Sequence, residues 1–265
     1  MYDHSMAITA GSPPPILSLV ADPHRWQLLA ELSRSDRRVG ELTELLGKPQ
    51  NLVSYHLAEL RNAGLVTARR SSADRRDVYY RADLHRCRDL LADAGGALHP
   101  GLRLTPRPTP RATSPGTRGR RVLFLCTGNS ARSQMAEALL IARSGHTVDA
   151  RSAGSHPKTL HANAVRVMAE RGLDIAGNTT KHIRLFSRMR FDRVITLCDK
   201  VREVCPELSG PAPTSHWSIA DPSAEGDTDD ATHPAFRRVA DELEARIELL
   251  LDELVSLATE RTSHA

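Results

Sequence analysis

Apolar side chains in the first hundred residues recur at helical spacing, in four short groups separated by glycine and proline. Residues three or four apart share one helix face, so each group predicts a short amphipathic helix packed on a common core. The groups are Ile16, Leu17 and Val20; Leu28, Leu29 and Leu32; Leu42, Leu45 and Leu46; and Leu52, Val53, Leu57 and Leu60. We expect breaks at Gly40 and at Gly47-Lys48-Pro49, and an end to the fourth helix at Gly64.

A hairpin and one more helix complete this region. Strand-like runs at 65–69 and 77–81 flank the polar turn 71–76, and a last helix is predicted at about 84–94. Three helices, a tight turn into a fourth and a hairpin together indicate a winged helix-turn-helix. In that arrangement the fourth helix, here 49–63 and called the reading helix below, enters the DNA major groove, and the hairpin is the wing.

Polar side chains on both elements are candidates for DNA contact. On the reading helix, the side chains expected to reach base edges or phosphates are Gln50, Asn51, Ser54, Tyr55 and His56. On the wing, Arg75 and Arg76 are placed to touch phosphates, with Arg69 and Arg70 before them. The competing interpretation is a helical interaction module whose polar face is only solvated.

From residue 121 onward, strand-like and helix-like runs alternate. RVLFLC, TVDARSAG and FDRVITLC read as strands, and SQMAEALLIARSG, NAVRVMAERGL and a long terminal run from PAFRR onward read as helices. Such alternation predicts a doubly wound parallel α/β sheet. The domains are therefore a winged helix-turn-helix at 15–95, a linker at 96–120 and an α/β domain at 121–260.

The positive charge of the chain lies in the predicted linker. Residues 1–100 carry 13 basic and 12 acidic side chains, residues 101–121 carry six arginines and no acid, and the rest carries 17 basic and 20 acidic. The linker is rich in Pro, Gly, Ser and Thr and has no apolar period, so we expect a flexible spacer. Attraction of its arginines to DNA phosphates is the alternative interpretation.

Composition also bears on the compartment. The first 15 residues lack the apolar core of a signal peptide, and no run approaches the roughly 18 apolar residues of a membrane span. We therefore expect a soluble, cytoplasmic protein without a membrane segment. In a compartment that keeps thiols reduced, the four cysteines are expected to be catalytic or metal-binding instead of structural disulfides.

One motif carries a specific chemistry. Cys126 and Arg132 are separated by five residues at the junction of a predicted strand and helix, where successive backbone N–H groups and a helix N-terminus can surround a tetrahedral oxyanion. The residues expected to bind the anion are Thr127, Gly128, Asn129, Ser130, Ala131 and Arg132. The positive electrostatic potential of these N–H groups and of the helix N-terminus also favours the thiolate form of Cys126. Ser133 can donate a hydrogen bond to that thiolate. The competing interpretation is a buried cysteine beside an incidental arginine.

This motif, with Asp221-Pro222 downstream, resembles the low-molecular-weight tyrosine phosphatases over about residues 120–257. The resemblance implies a parallel four-stranded sheet, Cys126 as the nucleophile, and Asp221 as the acid that protonates the leaving oxygen. The segment after Asp221 lacks the tyrosines that phosphatases of this family commonly carry.

Two more cysteines favour a reductase over a phosphatase. The segment from Cys198 to Cys205-Pro206 resembles the redox segment of thioredoxin-coupled arsenate reductases. The resemblance implies that Cys126 attacks arsenate, that Cys198 then attacks Cys126 and releases arsenite, and that Cys205 leaves a disulfide for thioredoxin to reduce. No bound cofactor is expected. The alternative interpretation makes Cys198 and Cys205 buried structural residues.

Some members of that family hold potassium with an asparagine, a glutamate, a serine and an aspartate. The matching positions here are Asn129, Glu137, Ser152 and Lys181. Because a lysine ammonium can replace the charge of the ion, we expect no dependence on potassium.

The N-terminal segments VADPHRWQLLAELS, GELTELLGKPQNLVSYHLAELRNAGLV and RRDVYYR resemble the ArsR-type metalloregulatory repressors over about residues 15–93. The resemblance implies a homodimer held by the first and last helices, released from operator DNA by an inducer. Arsenic-sensing members often carry a Cys-x-Cys pair, but the matching segment here, 39–45, has no cysteine. Cys87 is therefore the one candidate arsenite ligand of this domain. A single thiol does not make a metal site, so we predict none.

The two resemblances define competing hypotheses. The first is a fused transcriptional regulator and arsenate reductase. The second is a DNA-binding regulator with a protein tyrosine phosphatase or oxyanion-sensing domain. A third keeps the enzyme and uses the helical domain only for dimerisation.

Overall fold

The computed structural model describes residues 12–103, 119–204 and 213–262. By their contacts these residues divide into two compact units. The first comprises described residues of Met1–Ser33, Val39–Ala68 and Tyr80–Thr105, and the second comprises those of Arg34–Arg38, Arg69–Tyr79 and Pro106–Ala265. No described helix is both long enough and apolar enough to cross a membrane.

The four helices predicted from the apolar groups are present, followed by a fifth. They are α1 (Pro15–Val20), α2 (Pro23–Arg34), α3 (Val39–Leu46), α4 (Gln50–Asn62) and α5 (Leu84–Leu98). Their inward faces form one core, because the apolar positions at spacings of three and four are the buried ones. This core includes Leu28, Leu32, Leu42, Leu57, Leu60 and Leu65.

Among these five helices, the start of α3 and the end of α5 differ from the prediction. Gly40 lies inside α3 instead of before it, so the break between α2 and α3 comes earlier. Helix α5 continues to Leu98, four residues past the predicted end, and is followed by a 3₁₀ turn at Pro100–Leu102. Gly95 permits this turn, since a Cβ there would lie 2.3 Å from the carbonyl oxygen of Leu102.

The predicted hairpin is confirmed, with one additional short strand. The strands are β1 (Arg37–Arg38), β2 (Val66–Arg70) and β3 (Val78–Ala82), and their order in the sheet is β1-β3-β2. Gly64 ends α4 with a φ of 73°, a left-handed conformation that glycine adopts without strain. The chain therefore turns sharply from the reading helix into the wing.

The second sheet has the predicted parallel topology. Its strands are β4 (Arg121–Cys126), β5 (Asp149–Gly154), β6 (Arg193–Thr196) and β7 (Thr214–His216), in the order β5-β4-β6-β7. All three pairings are parallel. Strand β4 is paired on one side with β5 and on the other with β6. The chain thus reverses its direction of winding at the carboxyl end of β4, which is where open α/β sheets form their binding crevices.

The helices of this sheet are α6 (Arg132–Arg143), α7 (Ala162–Ala169), α8 (Asp199–Val204) and α9 (Asp229–Thr262). Helix α9 begins five residues before the predicted start at Pro234, because Thr228 accepts a hydrogen bond from the Ala231 N–H and caps the earlier turn. Buried side chains of β4, α6, α7 and α9 make the core, among them Phe124, Leu139, Val167, Phe236 and Leu243.

Candidate functional site

The loop between β4 and α6, residues 126–132 and called the oxyanion loop, lies at the carboxyl end of the central strand. Its carbonyl oxygens point outward, since those of Thr127, Gly128 and Ser130 accept hydrogen bonds, each 2.9 Å long, from the N–H groups of residues 156, 158 and 161. Fixing the carbonyls outward turns backbone N–H groups of the loop inward, where an anion would bind.

Asn129 holds this loop in shape. Its φ of 46° lies in the left-handed region, which asparagine tolerates better than most residues. Its side-chain amide donates to Ser133 Oγ at 2.9 Å and to Ser152 Oγ at 2.8 Å, and its side-chain oxygen accepts from Gln134 and from the Lys181 N–H. The Asn129 backbone N–H lies 3.2 Å from Cys126 Sγ, so the conformation of the loop is tied directly to the thiol.

Cys126, Ser133, Arg132 and Asp221 are brought together as the sequence indicated. Cys126 is buried, and its sulfur lies 3.0 Å from Ser133 Oγ. Arg132 donates to the Ile219 carbonyl oxygen at 2.9 Å and to Asp221 Oδ2 at 3.0 Å. Burial favours a higher pKa for Asp221, but the Arg132 charge and hydrogen bonds from Ser223 outweigh it and hold that pKa below its ordinary value.

Cys198 lies beside this loop. It lies two residues after the end of β6, is buried, and has its sulfur 3.3 Å from Thr127 Oγ1. Burial raises the pKa of Cys198, and the charge of Arg132 only partly opposes that rise. Cys205, the third cysteine of the predicted relay, lies outside the described residues.

Two residues missed by the sequence analysis fix the chain around Cys198. Asp199, the first residue of α8, is buried, and its Oδ1 accepts hydrogen bonds from His216 Nε2 at 3.1 Å and Ser218 Oγ at 2.7 Å. His216 also contacts Thr196 Oγ1 at 2.8 Å. The signal in the sequence was weak, because an aspartate at a helix start is usually read as an exposed helix-terminal residue.

The positions compared with a potassium site form one hydrogen-bonded network, in which Asn129, Glu137 and Ser152 are buried and Lys181 is half-buried. Lys181 Nζ lies 3.0 Å and 3.4 Å from the two carboxylate oxygens of Glu137. Glu137 also accepts a short hydrogen bond from Ser152, which in turn contacts Asn129. The Lys181 ammonium therefore lies against the Glu137 carboxylate and supplies the positive charge that a bound cation would otherwise supply.

Gly154 is a further residue that the sequence analysis did not identify. It ends β5 and pairs with Cys126 across the sheet. A Cβ at this position would lie 2.6 Å from the Thr127 carbonyl oxygen and 2.8 Å from the Asn129 backbone nitrogen. The oxyanion loop can pack against β5 only because this residue has no side chain.

The candidate DNA-contacting residues divide into two groups. Gln50, Asn51, Ser54 and Tyr55 are exposed on α4, as expected. His56 is not, and the expectation that its side chain points outward is wrong. The residue is 6% exposed and its side chain faces the start of α2, because it lies three positions after the buried Val53.

On the wing, Arg75 and Arg76 are both exposed. Arg76 donates to Asp74 at 2.7 Å, and that contact lowers the pKa of Asp74 to about 2. The charge of Arg76 is thus partly neutralised by a neighbouring carboxylate.

Cys87, the candidate arsenite ligand, is half-buried on α5. Burial, together with the nearby charge of Asp83, raises its pKa to about 11. A protonated thiol is a poor ligand for arsenite, so the raised pKa of Cys87 disfavours arsenite binding there.

The oxyanion loop follows the central strand of a doubly wound parallel sheet and begins with a cysteine. This arrangement defines a class of oxyanion-binding α/β proteins. Residues 121–261 match the low molecular weight phosphotyrosine protein phosphatase family, and the chain belongs to that family. Residues 22–68 match the bacterial regulatory proteins of the arsR family. Both family resemblances predicted from the sequence are confirmed.

Several proteins are similar to about half of the chain. An arsenate reductase of Halalkalibacterium halodurans is 40% identical over 126 residues, which is 48% of this chain and 91% of that protein. An arsenate reductase of Bacillus subtilis is 36% identical over 126 residues, again 48% of this chain and 91% of that protein. A solved arsenate reductase in its phosphate-binding state is 30% identical, with a TM-score of 0.45, and covers 51% of this chain and 98% of that one.

The packing at Gly154 gives a first prediction. Gly154→Ala should weaken the binding of inorganic phosphate and lower the free energy of unfolding by about 1–3 kcal/mol, because the added methyl group meets backbone atoms that cannot rotate away. Calorimetric titration and thermal unfolding measure the two effects. Gly177→Ala is the matched control, since a Cβ there has no neighbour within 4 Å. Equal phosphate affinity in both variants would contradict the assigned packing.

The Lys181–Glu137 contact gives a second prediction. We expect the thermal midpoint of the native protein to be the same in potassium chloride as in choline chloride at equal ionic strength. For Lys181→Ala we expect potassium to raise the midpoint, because Glu137 then lacks its fixed countercharge. A potassium-dependent midpoint in the native protein would show that the lysine does not replace the ion.

Proposed function

We propose that this chain is a fused transcriptional regulator and arsenate reductase, in which a DNA-binding domain precedes an enzyme that reduces arsenate to arsenite through three thiols. The observation that carries the proposal is the position of Cys198, whose sulfur lies 3.3 Å from the hydroxyl of Thr127 in the oxyanion loop. Hydrolysis of a phosphate ester needs one thiol in this loop. A second thiol in contact with the same loop suits a reaction in which electrons leave the enzyme.

In the first step arsenate binds to the oxyanion loop and Cys126 forms a bond to arsenic while one oxygen leaves as water. The guanidinium of Arg132 can hold two oxygens of the anion, and it also pairs with Asp221. An arriving anion competes for the guanidinium. Once that charge is shared, the pKa of Asp221 rises toward its ordinary value, and Asp221 can supply the proton that the departing oxygen needs.

In the second step Cys198 attacks the sulfur of Cys126. The sulfur–arsenic bond breaks and its electron pair stays on arsenic, which leaves as arsenite, and a Cys126–Cys198 disulfide remains. Because burial raises the pKa of Cys198, its thiol carries a proton at neutral pH and must lose it on attack. Thr127 Oγ1 can donate a hydrogen bond that stabilises the Cys198 thiolate, and the departing arsenic oxyanion takes up the proton.

In the third step Cys205 displaces Cys126 and forms a disulfide with Cys198, which a dithiol reductant of the thioredoxin class then reduces. Cys205 is seven positions after Cys198 in the sequence, and α8 occupies the six residues between them, 199–204. At a rise of about 1.5 Å per residue this helix would hold their Cα atoms about 10 Å apart, whereas a disulfide needs no more than about 7 Å. We therefore propose that α8 unwinds when this disulfide forms.

The regulatory half of the proposal rests on α4 and on the arsR family match. The outward face of α4 presents Gln50, Asn51, Ser54 and Tyr55, none of which contributes to the core. We further propose a homodimer that pairs the first and last helices of this domain. Leu17, Leu91 and Leu98 support it, because these large apolar side chains on α1 and α5 are 44%, 38% and 80% exposed.

The relay predicts different behaviour for its second and third cysteines. With arsenate, thioredoxin and thioredoxin reductase, Cys198→Ser should release no arsenite, since no sulfur can attack Cys126. Cys205→Ser should release about one arsenite per enzyme and accumulate a Cys126–Cys198 disulfide. Arsenite release and mass spectrometry measure the two outcomes.

Cys87→Ser is the matched control, a thiol outside the relay whose loss should leave arsenate reduction unchanged. Repeated turnover by Cys205→Ser without a trapped disulfide would show that an external thiol reduces the enzyme directly. Hydrolysis of p-nitrophenyl phosphate without any arsenate reduction would instead favour a phosphatase.

The reading-helix assignment predicts that Ser54→Ala weakens binding to the operator more than binding to random DNA. Arg75→Ala should weaken both and reduce the dependence on salt by about one ion, whereas Arg76→Ala should have a smaller effect because Asp74 already pairs with it. Fluorescence anisotropy at several salt concentrations measures these differences. Equal losses on both DNAs for Ser54→Ala would contradict the assignment.

A further inference from the structure

His56 is an unusual residue for the inner face of a reading helix. Its side chain is 8% exposed, yet its Nδ1 atom is buried and makes no hydrogen bond within the described part of the chain. A buried polar atom without a partner is unfavourable, and native proteins rarely keep one that has no use. The atom therefore points to a missing partner.

Two other ligand-type side chains of the same compact unit face this atom. Asp22 Oδ1 lies 3.8 Å from His56 Nδ1 and 3.8 Å from His24 Nδ1. The rings of His24 and His56 are stacked, with their centroids 5.1 Å apart. The ligand atoms of the three residues all lie within 4.8 Å of one another.

Local structure holds the carboxylate in this position. Asp22 caps the start of α2, where its Oδ1 accepts the N–H groups of His24 and Arg25 at 2.9 Å and 3.0 Å. These contacts lower the pKa of Asp22 and keep its carboxylate charged. The carboxylate does not satisfy His56 Nδ1, because 3.8 Å exceeds the length of a hydrogen bond.

We propose that Asp22, His24 and His56 form a binding site for a first-row divalent transition metal ion of the zinc type. Two imidazole nitrogens and one carboxylate oxygen suit such an ion, whereas the lack of thiolates is unfavourable for arsenite.

The distances are compatible with this site. Bonds of about 2.0–2.2 Å in tetrahedral geometry place ligand atoms about 3.4 Å apart, so the three atoms need to approach one another by at most about 1.4 Å. His24, whose side chain is 31% exposed, is free to make most of that adjustment. Water would complete the coordination, and the ion would join the start of α2 to α4.

Titration of the metal-free full chain with cobalt(II), without an affinity tag, tests the site. The native protein should bind one cobalt ion with the visible absorption of a four-coordinate complex that has nitrogen and oxygen ligands, and without a thiolate-to-cobalt charge-transfer band. His24→Ala should lower the affinity by at least about 10- to 100-fold. Zinc should raise the thermal midpoint of the native protein and have a smaller effect on this variant.

Two further variants make the test specific. Asp22→Ser removes the carboxylate but keeps a residue that can cap α2, so it should lose cobalt without losing the fold. His85→Ala, a histidine outside the cluster, should bind cobalt as the native protein does. Equal affinity in His24→Ala and His85→Ala, or a cobalt spectrum with thiolate bands alone, would overturn the proposal. Arsenate reduction is not measured, so failure here is separate from failure of the proposed enzyme.

Discussion

The position of Asn129 is the constraint on which the oxyanion loop depends. The residue adopts a left-handed backbone conformation and buries an amide that contacts the start of α6, the end of β5 and the segment before the 3₁₀ turn at Ile183–Phe186. Its own N–H lies against the sulfur of Cys126. A loop held from three directions cannot relax when the anion leaves, so the cost of aligning its N–H groups is met in folding and not at each turnover.

Two carboxylates beside this loop have partners of different kinds. The side chain of Glu137 is 12% exposed and paired with Lys181. The side chain of Asp221 is 43% exposed and paired with Arg132, whose guanidinium is the group that an oxyanion would seek. We therefore infer that the first ion pair stabilises the fold, whereas the second would exchange partners in the proposed reaction. Similar charges serve separate purposes because their solvent exposure and their competitors differ.

Much of the fold could be predicted from the sequence because its signals are local. The five-residue spacing between Cys126 and Arg132 and the apolar periods of the helices involve residues that lie close along the chain. Gly154, His216 and the burial of His56 could not be predicted in the same way, since each depends on a partner distant in sequence. The apolar periodicity does not show whether His56 faces the core or the solvent, and its polar side chain favours the wrong choice. The short strand β7 was missed because three residues give no readable alternation.

The oxyanion loop also limits how an arsenate reductase could tell its substrate from phosphate. Backbone N–H groups and the fork of Arg132 recognise four oxygens around a centre of similar size and charge, so they offer little discrimination between the two anions. The two anions differ in whether their central atom, arsenic or phosphorus, can accept an electron pair. Attack of a second thiol on a Cys126 adduct leaves an electron pair on arsenic, which is stable as arsenite, whereas phosphorus has no comparably accessible lower oxidation state. Selectivity would then arise at Cys198, after binding, and the residues that position that sulfur would matter more for specificity than those that bind the anion.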